Sequence, residues 1–449
     1  MFKKLILLIL LFTSIINAQH TIKGTMQPEA KFKWIILYQL QGAKQTYIAN
    51  ADITNGSFSF TLPETATNGV YRLTYDVENQ LFVDIIYNNE DVSFNFNPQY
   101  PKEQIQFLTS EENTIHQDYL NETTKSKNQL DSLQVAYFSS TEKDNIKTLY
   151  QQHYTDLKKT QQKFELASKD KLAYHFIKAN TTYYPEKPIE KPQDYLNSIK
   201  THFFDFIDFN DKILLNSTFI SDKITDYIFY INRSEDVEIN TKLQKDAIAT
   251  VISKIGDNLN LARDVEEGLL YNFTQQQNIP LAKYILENFY QKLPASLQDI
   301  AFRKDIESQL KVVVGGKAPN LLWKENKLEK DLYSLTTSDY YVIVFWSSSC
   351  GHCLKEMPDL YKYLKDNTKT KVLAIGLETE KSKADWEDIS ANFKDFIHIY
   401  GANKWKNKFA REYGVNSTPS FYILDAYKKI ISKPYDVAAL KVFFENQKH

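Results

Sequence analysis

Apolar and polar residues alternate along residues 19–108, as half-buried strands require. Phe58, Phe60 and Leu62 interleave with Ser57, Ser59 and Thr61, and Val92, Phe94 and Phe96 repeat the period further on. Asn55-Gly56 between apolar stretches is a two-residue hairpin signal, and Asn88 to Asp91 reads as another turn. Regular strand spacing with such turns predicts a small antiparallel β-sandwich over residues 19–108. It serves either as a docking surface or as a spacer with no chemistry of its own.

From about Ser110 the period becomes helical and glycine nearly disappears. Ile146, Tyr150, His153, Leu157 and Phe164 mark one face of a long helix whose other faces carry Lys, Gln and Asp. Further helices are predicted from Pro192 to Phe209, Asp236 to Ile255, Leu259 to Phe273, Leu281 to Leu293 and Ser296 to Leu310. Residues 109–311 therefore read as an all-α domain, its aromatics more often core than groove. His116, His153, His175 and His202 lack metal-site spacing, so no metal or cofactor is assigned.

Gly315-Gly316-Lys317-Ala318-Pro319 ends the helical run and opens a third domain, 312–449. Tyr341 to Trp346 and Lys371 to Leu377 are continuous apolar runs, expected as strands buried on both faces. Helices over Ala384 to Phe393, Lys404 to Tyr413 and Asp436 to Asn446 alternate with strands over Phe396 to Tyr400, Phe421 to Leu424 and near Ile430. Gly414 can end the second of these helices in a left-handed cap. This alternation predicts an α/β domain with a parallel-centred sheet.

At the N-terminus Lys3 and Lys4 precede an apolar run from Leu5 to Phe12, continuing weakly to Ile16. The run is too short to span a bilayer and reads as a signal peptide, residues 1–18, cleaved after Ala18. The expected location is periplasmic or secreted, with no stable membrane span after cleavage and no cysteine near the site to carry a lipid anchor. A net charge of −2 without a long basic run argues against a nucleic-acid partner.

The chain has two cysteines, Cys350 and Cys353, in Ser349-Cys350-Gly351-His352-Cys353, where a strand hands over to a helix. With no other thiol present, they pair with each other or with another molecule. A sulfur at a helix N-terminus meets unpaired backbone N–H groups and the positive end of the helix dipole, which favour the thiolate. A second sulfur one turn later is placed to attack a mixed disulfide on the first, which is dithiol–disulfide exchange. The bland alternatives are a structural disulfide or half of a zinc site.

Taken together, Gly316-x-Ala318-Pro319, Phe345-Trp346, Cys350-x-x-Cys353, Lys355-Glu356-Met357-Pro358 and Gly414-Val415-x-x-Thr418-Pro419 resemble the thioredoxin fold. Within it, residues 313–449 resemble the exported thiol–disulfide oxidoreductases of the TlpA and ResA type. The upstream segments resemble uncharacterised β and helical modules of Gram-negative envelope proteins. The resemblance implies Cys350 as nucleophile, Cys353 as resolving thiol, and a cis bond before Pro419 that lets Thr418 and Pro419 face an extended substrate. Trp346 is a further substrate-side candidate, although a Trp closing a buried strand more often packs.

Glu356 matches an acidic residue that ResA-like proteins keep near the sulfurs, where it could exchange a proton with Cys353, or it is simply a surface residue. His352 resembles the histidine of protein disulfide isomerases, where an imidazolium favours the thiolate and a more oxidising couple. The sequence also departs from the family: Ser349 replaces an aromatic, Val344 a buried acid, and Ala426-Tyr427-Lys428-Lys429 a glycine-containing turn.

The implied partners are protein thiols and disulfides of the envelope, with an unidentified electron donor or acceptor. The leading expectation is a reductase; an oxidase or isomerase, and a non-catalytic binding protein with a thioredoxin-like passenger, are the alternatives. A thiol peroxidase is disfavoured, because Ile343 and Ser347 stand where its Pro and Thr would be.

Overall fold

The computed structural model describes residues 19–325 and 328–447, so the expected signal peptide lies outside the described residues. The chain divides into two compact units, with the boundary between Asn258 and Leu259. The division falls inside the stretch expected as a single helical domain.

In the first unit, period-2 patterning gives eight strands: β1 (Thr21–Met26), β2 (Trp34–Gln41), β3 (Lys44–Asp52), β4 (Ser57–Thr61), β5 (Gly69–Asp76), β6 (Leu81–Tyr87), β7 (Val92–Phe96) and β8 (Ile105–Phe107). They form two four-stranded sheets, ordered β4-β1-β7-β8 and β3-β2-β5-β6. One shared core takes Ile22, Phe58, Phe60 and Phe94 from the first sheet and Ile35, Leu37, Leu73 and Ile85 from the second. Asn55 and Gly56 both have positive φ, 49° and 73°, as a tight turn of this kind requires. The strands flanking that turn, β3 and β4, lie in different sheets, so it carries the chain from one layer to the other.

The expectation of a purely antiparallel arrangement is corrected at one pair: β1 and β7 run parallel, Ile22 beside Val92 and Gly24 beside Phe94. The entire second sheet separates them in sequence, which supplies the long crossover that a parallel pair needs.

Helices follow: α1 (Glu111–Ser139), α2 (Lys143–Ala167), α3 (Ala173–Ala179), α4 (Pro192–His202), α5 (Lys212–Leu215), α6 (Phe219–Thr225) and α7 (Val237–Ile255). The face foreseen for α2 is the buried one, with Ile146, Tyr150, Leu157 and Phe164 turned inward. Tyr119, early in α1, meets Phe164, late in α2, so the two are antiparallel.

The second unit starts with α8 (Leu259–Gln275), α9 (Ile279–Asn288) and α10 (Ile300–Lys311). Val312, just beyond α10, is wholly buried in the core that the last domain builds, which ties these helices to it. An antiparallel pair, β9 (Leu322–Glu325) and β10 (Leu328–Asp331), precedes a five-stranded sheet. That sheet comprises β11 (Tyr340–Trp346), β12 (Thr370–Glu378), β13 (Ile397–Ala402), β14 (Ser420–Asp425) and β15 (Ile430–Ser432) in the order β13-β12-β11-β14-β15. β11, β12 and β13 are mutually parallel, β14 pairs antiparallel with β11, and β15 pairs antiparallel with β14.

Around the sheet lie α11 (Cys353–Leu364), α12 (Lys383–Ser390), α13 (Lys408–Glu412) and α14 (Val437–Asn446). Central β11 sends Tyr341, Ile343 and Phe345 into one core and Val342, Val344 and Trp346 into the other. A continuous apolar run is the pattern such a two-faced strand requires. At Gly376 of β12 the Trp386 indole lies so close that a Cβ would fall 2.0 Å from Nε1, which demands glycine.

Two local expectations change. The helix foreseen over Lys404 to Tyr413 is broken, because Asn407 is extended (ψ 141°) and uses its side chain to cap Phe409 and Ala410 N–H. The turn lacking a glycine is closed by Lys428 at φ 66°, whose ammonium donates to the Leu335 and Ala426 carbonyls at 2.6 and 2.9 Å. Gly414 takes φ 59° at the end of α13, the left-handed cap expected there.

Candidate active site

β11 ends at Trp346 and releases Ser347-Ser348-Ser349 into a tight loop. The Cys350 N–H donates to the Ser347 carbonyl, and the Leu354 N–H donates to the Cys350 carbonyl, both at 3.1 Å. The second of these bonds spans four residues, so helical bonding begins at Cys350 although regular α11 starts at Cys353. Cys350 thus occupies an N-cap position with sulfur in place of the usual oxygen. Its Sγ accepts the Cys353 N–H at 3.2 Å.

Cys350 and Cys353 are joined in a disulfide, with Cα atoms 5.2 Å apart. The two sulfurs have unlike surroundings. Cys353 is completely buried against Trp346, Met357 and Leu360 of the core, whereas Cys350 is half-buried at the surface. Only Cys350 is open to a large partner.

Pairing of β11 with β14, Phe345 opposite Ser420, brings the Thr418-Pro419 loop to the same edge. The Thr418–Pro419 bond is cis, and the Thr418 carbonyl lies 3.4 Å from Cys350 Sγ. Pro419 offers no N–H at this edge.

The remaining sequence candidates separate. The His352 side chain is 64% exposed, its Nε2 3.8 Å from Glu356 Oε1. Glu356 Oε2 accepts the Val437 N–H at 2.8 Å, the first amide of α14. A carboxylate at that helix N-terminus satisfies an orphan donor and meets the positive end of the dipole. Trp346 is wholly buried and packs near Phe393, so it presents no surface to a substrate.

Two residues not singled out from the sequence belong to the site. Glu378, closing β12, has no exposed surface; its Oε1 accepts the Ser348 N–H at 2.5 Å, while Oε2 has no partner among the described residues. An acid ending the apolar run Val372 to Leu377 was the available signal. Lys404 donates from Nζ to Ser349 Oγ at 3.3 Å, and Ser349 Oγ is 3.0 Å from Ser347 Oγ. Nothing local in the sequence linked that lysine to the cysteine loop. Among the described residues no three His, Cys, Asp or Glu side chains are grouped as a metal site.

Residues 338–430 match the family model described as thioredoxin-like. Similar solved structures include a domain of a possible thiol-disulfide isomerase from Cytophaga hutchinsonii, 28% identical, covering 30% of this chain and 93% of that one, with a TM-score of 0.27. The thioredoxin domain of a thiol-disulfide oxidoreductase from Bacteroides vulgatus is 20% identical over 30% of this chain and 96% of its own, with a TM-score of 0.27. A thioredoxin-like protein from Bacteroides caccae is 18% identical, spans 59% of this chain and 98% of its own, and has a TM-score of 0.30. No curated protein matches the chain. The domain that carries Cys350 and Cys353 is thioredoxin-like.

Proposed function

We propose that this chain is an exported thiol–disulfide oxidoreductase that reduces disulfides of envelope proteins, with Cys350 as nucleophile and Cys353 as resolving thiol. The observation that carries the reading is the asymmetric sulfur pair: one sulfur at a helix start, accepting an amide, and the other sealed beneath it. The charged N-terminal run supports export, and the envelope is the compartment in which target disulfides persist.

In the reduced protein, Cys350 thiolate attacks one sulfur of the target disulfide. A Cys350–target bond forms, the target bond breaks, and the departing thiolate takes a proton from water. Cys353, deprotonated, then attacks Cys350 Sγ, forms the intramolecular disulfide and expels the second target thiolate, which is protonated in turn. Two electrons pass from the protein dithiol to the target. A dithiol donor in the same compartment returns them.

Thr418 and Pro419 hold the target as an added extended strand beside the sulfur. His352 supports a second reading, oxidation or isomerisation, because an exposed imidazole two residues from Cys350, when protonated, favours the reduced dithiol and makes the disulfide a better oxidant.

Equilibration with glutathione separates the two. The reductase reading expects a potential close to thioredoxin's, about −270 mV, and a value near −120 mV would transfer the assignment to oxidation. A Cys353→Ser variant should retain targets on Cys350 as mixed disulfides; capture of none, with partner binding intact in the unaltered chain, would favour the binding-protein reading instead.

A further inference from the structure

A cavity of about 150 Å3 opens beside Cys350. Its lining combines Cys350 and Thr418 with the apolar Leu377 and Trp405 and the polar Ser347, Ser349 and Lys404. Pockets for drug-sized ligands run to roughly 300–1,000 Å3, so this one suits a single short side chain. Trp405 is 47% exposed, so its indole is accessible from the cavity side.

The cavity has one sign of charge. Lys404 is its single ionised lining residue, and no Asp or Glu contributes to the wall. The lysine is held in place: Asn403 and Lys404 take left-handed backbone angles, φ 70° and 46°, and Nζ donates to Ser349 Oγ. Among the described residues its ammonium forms no ion pair, although Lys408, four residues on, pairs with Glu412. The neighbouring acid Glu378 has no exposed surface and is not among the lining residues; its Oε1 accepts the Ser348 N–H.

We propose that this cavity is a specificity subsite for an acidic side chain, an Asp or Glu adjacent to the target cysteine. An extended target beside Thr418-Pro419 places its cysteine at Cys350 and a neighbouring side chain in the cavity. Its carboxylate accepts from Lys404 Nζ and from the Ser349 hydroxyl, while its methylenes lie against Leu377 and Trp405. Ser349 is small enough to leave the space and polar enough to line it. The inference rests on the oxidoreductase reading and specifies its substrates.

The test uses the reduced full-length chain and three peptides, each a disulfide-linked dimer through one cysteine, with Glu, Gln or Lys beside it. Each second-order reduction rate is divided by the rate with dithiothreitol, which removes the peptide's intrinsic reactivity. The wild type is expected to prefer Glu over Lys by about five- to tenfold, the range of a partly exposed charge-assisted contact. The preference should shrink in 1 M salt, where the Debye length falls to about 3 Å. Lys404→Glu should reverse the order, and Lys404→Arg should keep it.

Equal normalised rates on all three peptides with the wild type would overturn the subsite and leave the oxidoreductase reading standing. An equal fall on all three in Lys404→Glu would also overturn it, since the lysine would then act on Cys350 and not on the target. Failure of the wild type to reduce any of them would remove the oxidoreductase reading itself, and the subsite with it.

Discussion

The backbone N–H of Cys353 points at the sulfur of Cys350 from 3.2 Å. In the proposed exchange, the residue that resolves the mixed disulfide therefore also helps to set the charge of the residue that forms it. Once the disulfide opens, the same amide is available to a Cys350 thiolate. The two cysteines are coupled through the backbone as well as through their sulfurs.

His352 should tune the couple without being needed for it. Its side chain is mostly exposed and sits on the first helical turn, so a positive charge there favours the Cys350 thiolate and hence the reduced form. His352→Ala is expected to make the potential more negative, by roughly 15–30 mV, measured by equilibration with glutathione. A shift in the opposite direction would contradict this role.

Glu356 ties α11 to the start of α14 through Val437 N–H. Glu356→Ala should destabilise the second unit by about 1–2 kcal/mol, read from urea unfolding, because a helix-terminal amide loses a charged acceptor. If the carboxylate also exchanges a proton with Cys353, Glu356→Gln will flatten the pH profile of turnover. An unchanged profile would leave Glu356 as a structural link.

Glu378 gives a sharper contrast between two substitutions. Glu378→Gln keeps an acceptor for Ser348 N–H and should fold normally. Glu378→Ala leaves that amide unpaired and opens a void beneath the cysteine loop, a loss of about 2–4 kcal/mol. Equal stability of the two variants by thermal unfolding would show that the buried hydrogen bond does not hold the loop.

The two units carry groups with opposite pH signatures, a half-buried histidine in the first and a buried glutamate in the second. Burial pushes His116, packed against Phe176, down to about 4. The unfolded chain then binds the extra proton first, so this contribution is intact above about pH 6.5 and lost as pH falls toward 4, by up to roughly 3 kcal/mol. Burial raises Glu266 to about 7, with the charge of Glu267 adding to it. Here the folded state holds the proton longer, so stability is greatest below about pH 4.5 and declines as pH rises through 7. His116→Gln should flatten the acid-side loss in the first unit, and Glu266→Gln the alkaline-side loss in the second, in unfolding followed from pH 4 to 8.

Much of the cysteine-bearing domain was legible because local rules and tertiary demands agree there. The apolar run Tyr341 to Trp346 read as a two-faced strand, and it feeds two cores. Gly414 read as a left-handed cap for the same reason. Legibility failed where a distant contact decides the outcome. The parallel pairing of β1 with β7 depends on a crossover through another sheet, which leaves no mark on either strand. Asn407 interrupts a helix because its side chain caps a new one. Lys404 reaches the site through a hydrogen bond to Ser349 across 55 residues, and no periodicity encodes that. Glu378 was visible as an acid on an apolar strand, yet its partner, Ser348 N–H, belongs to a different element.

The most direct test is the pH dependence of iodoacetamide alkylation at Cys350 in the reduced chain, with Cys353→Ser as control against reaction at the second sulfur. A thiolate held by a helix start and an amide should titrate below the value of about 8.5 for a free cysteine, with the midpoint of alkylation near pH 7 as the reductase reading expects. A midpoint at or above 8.5 would mean that the helix start confers no anionic character on Cys350, and would contradict the account.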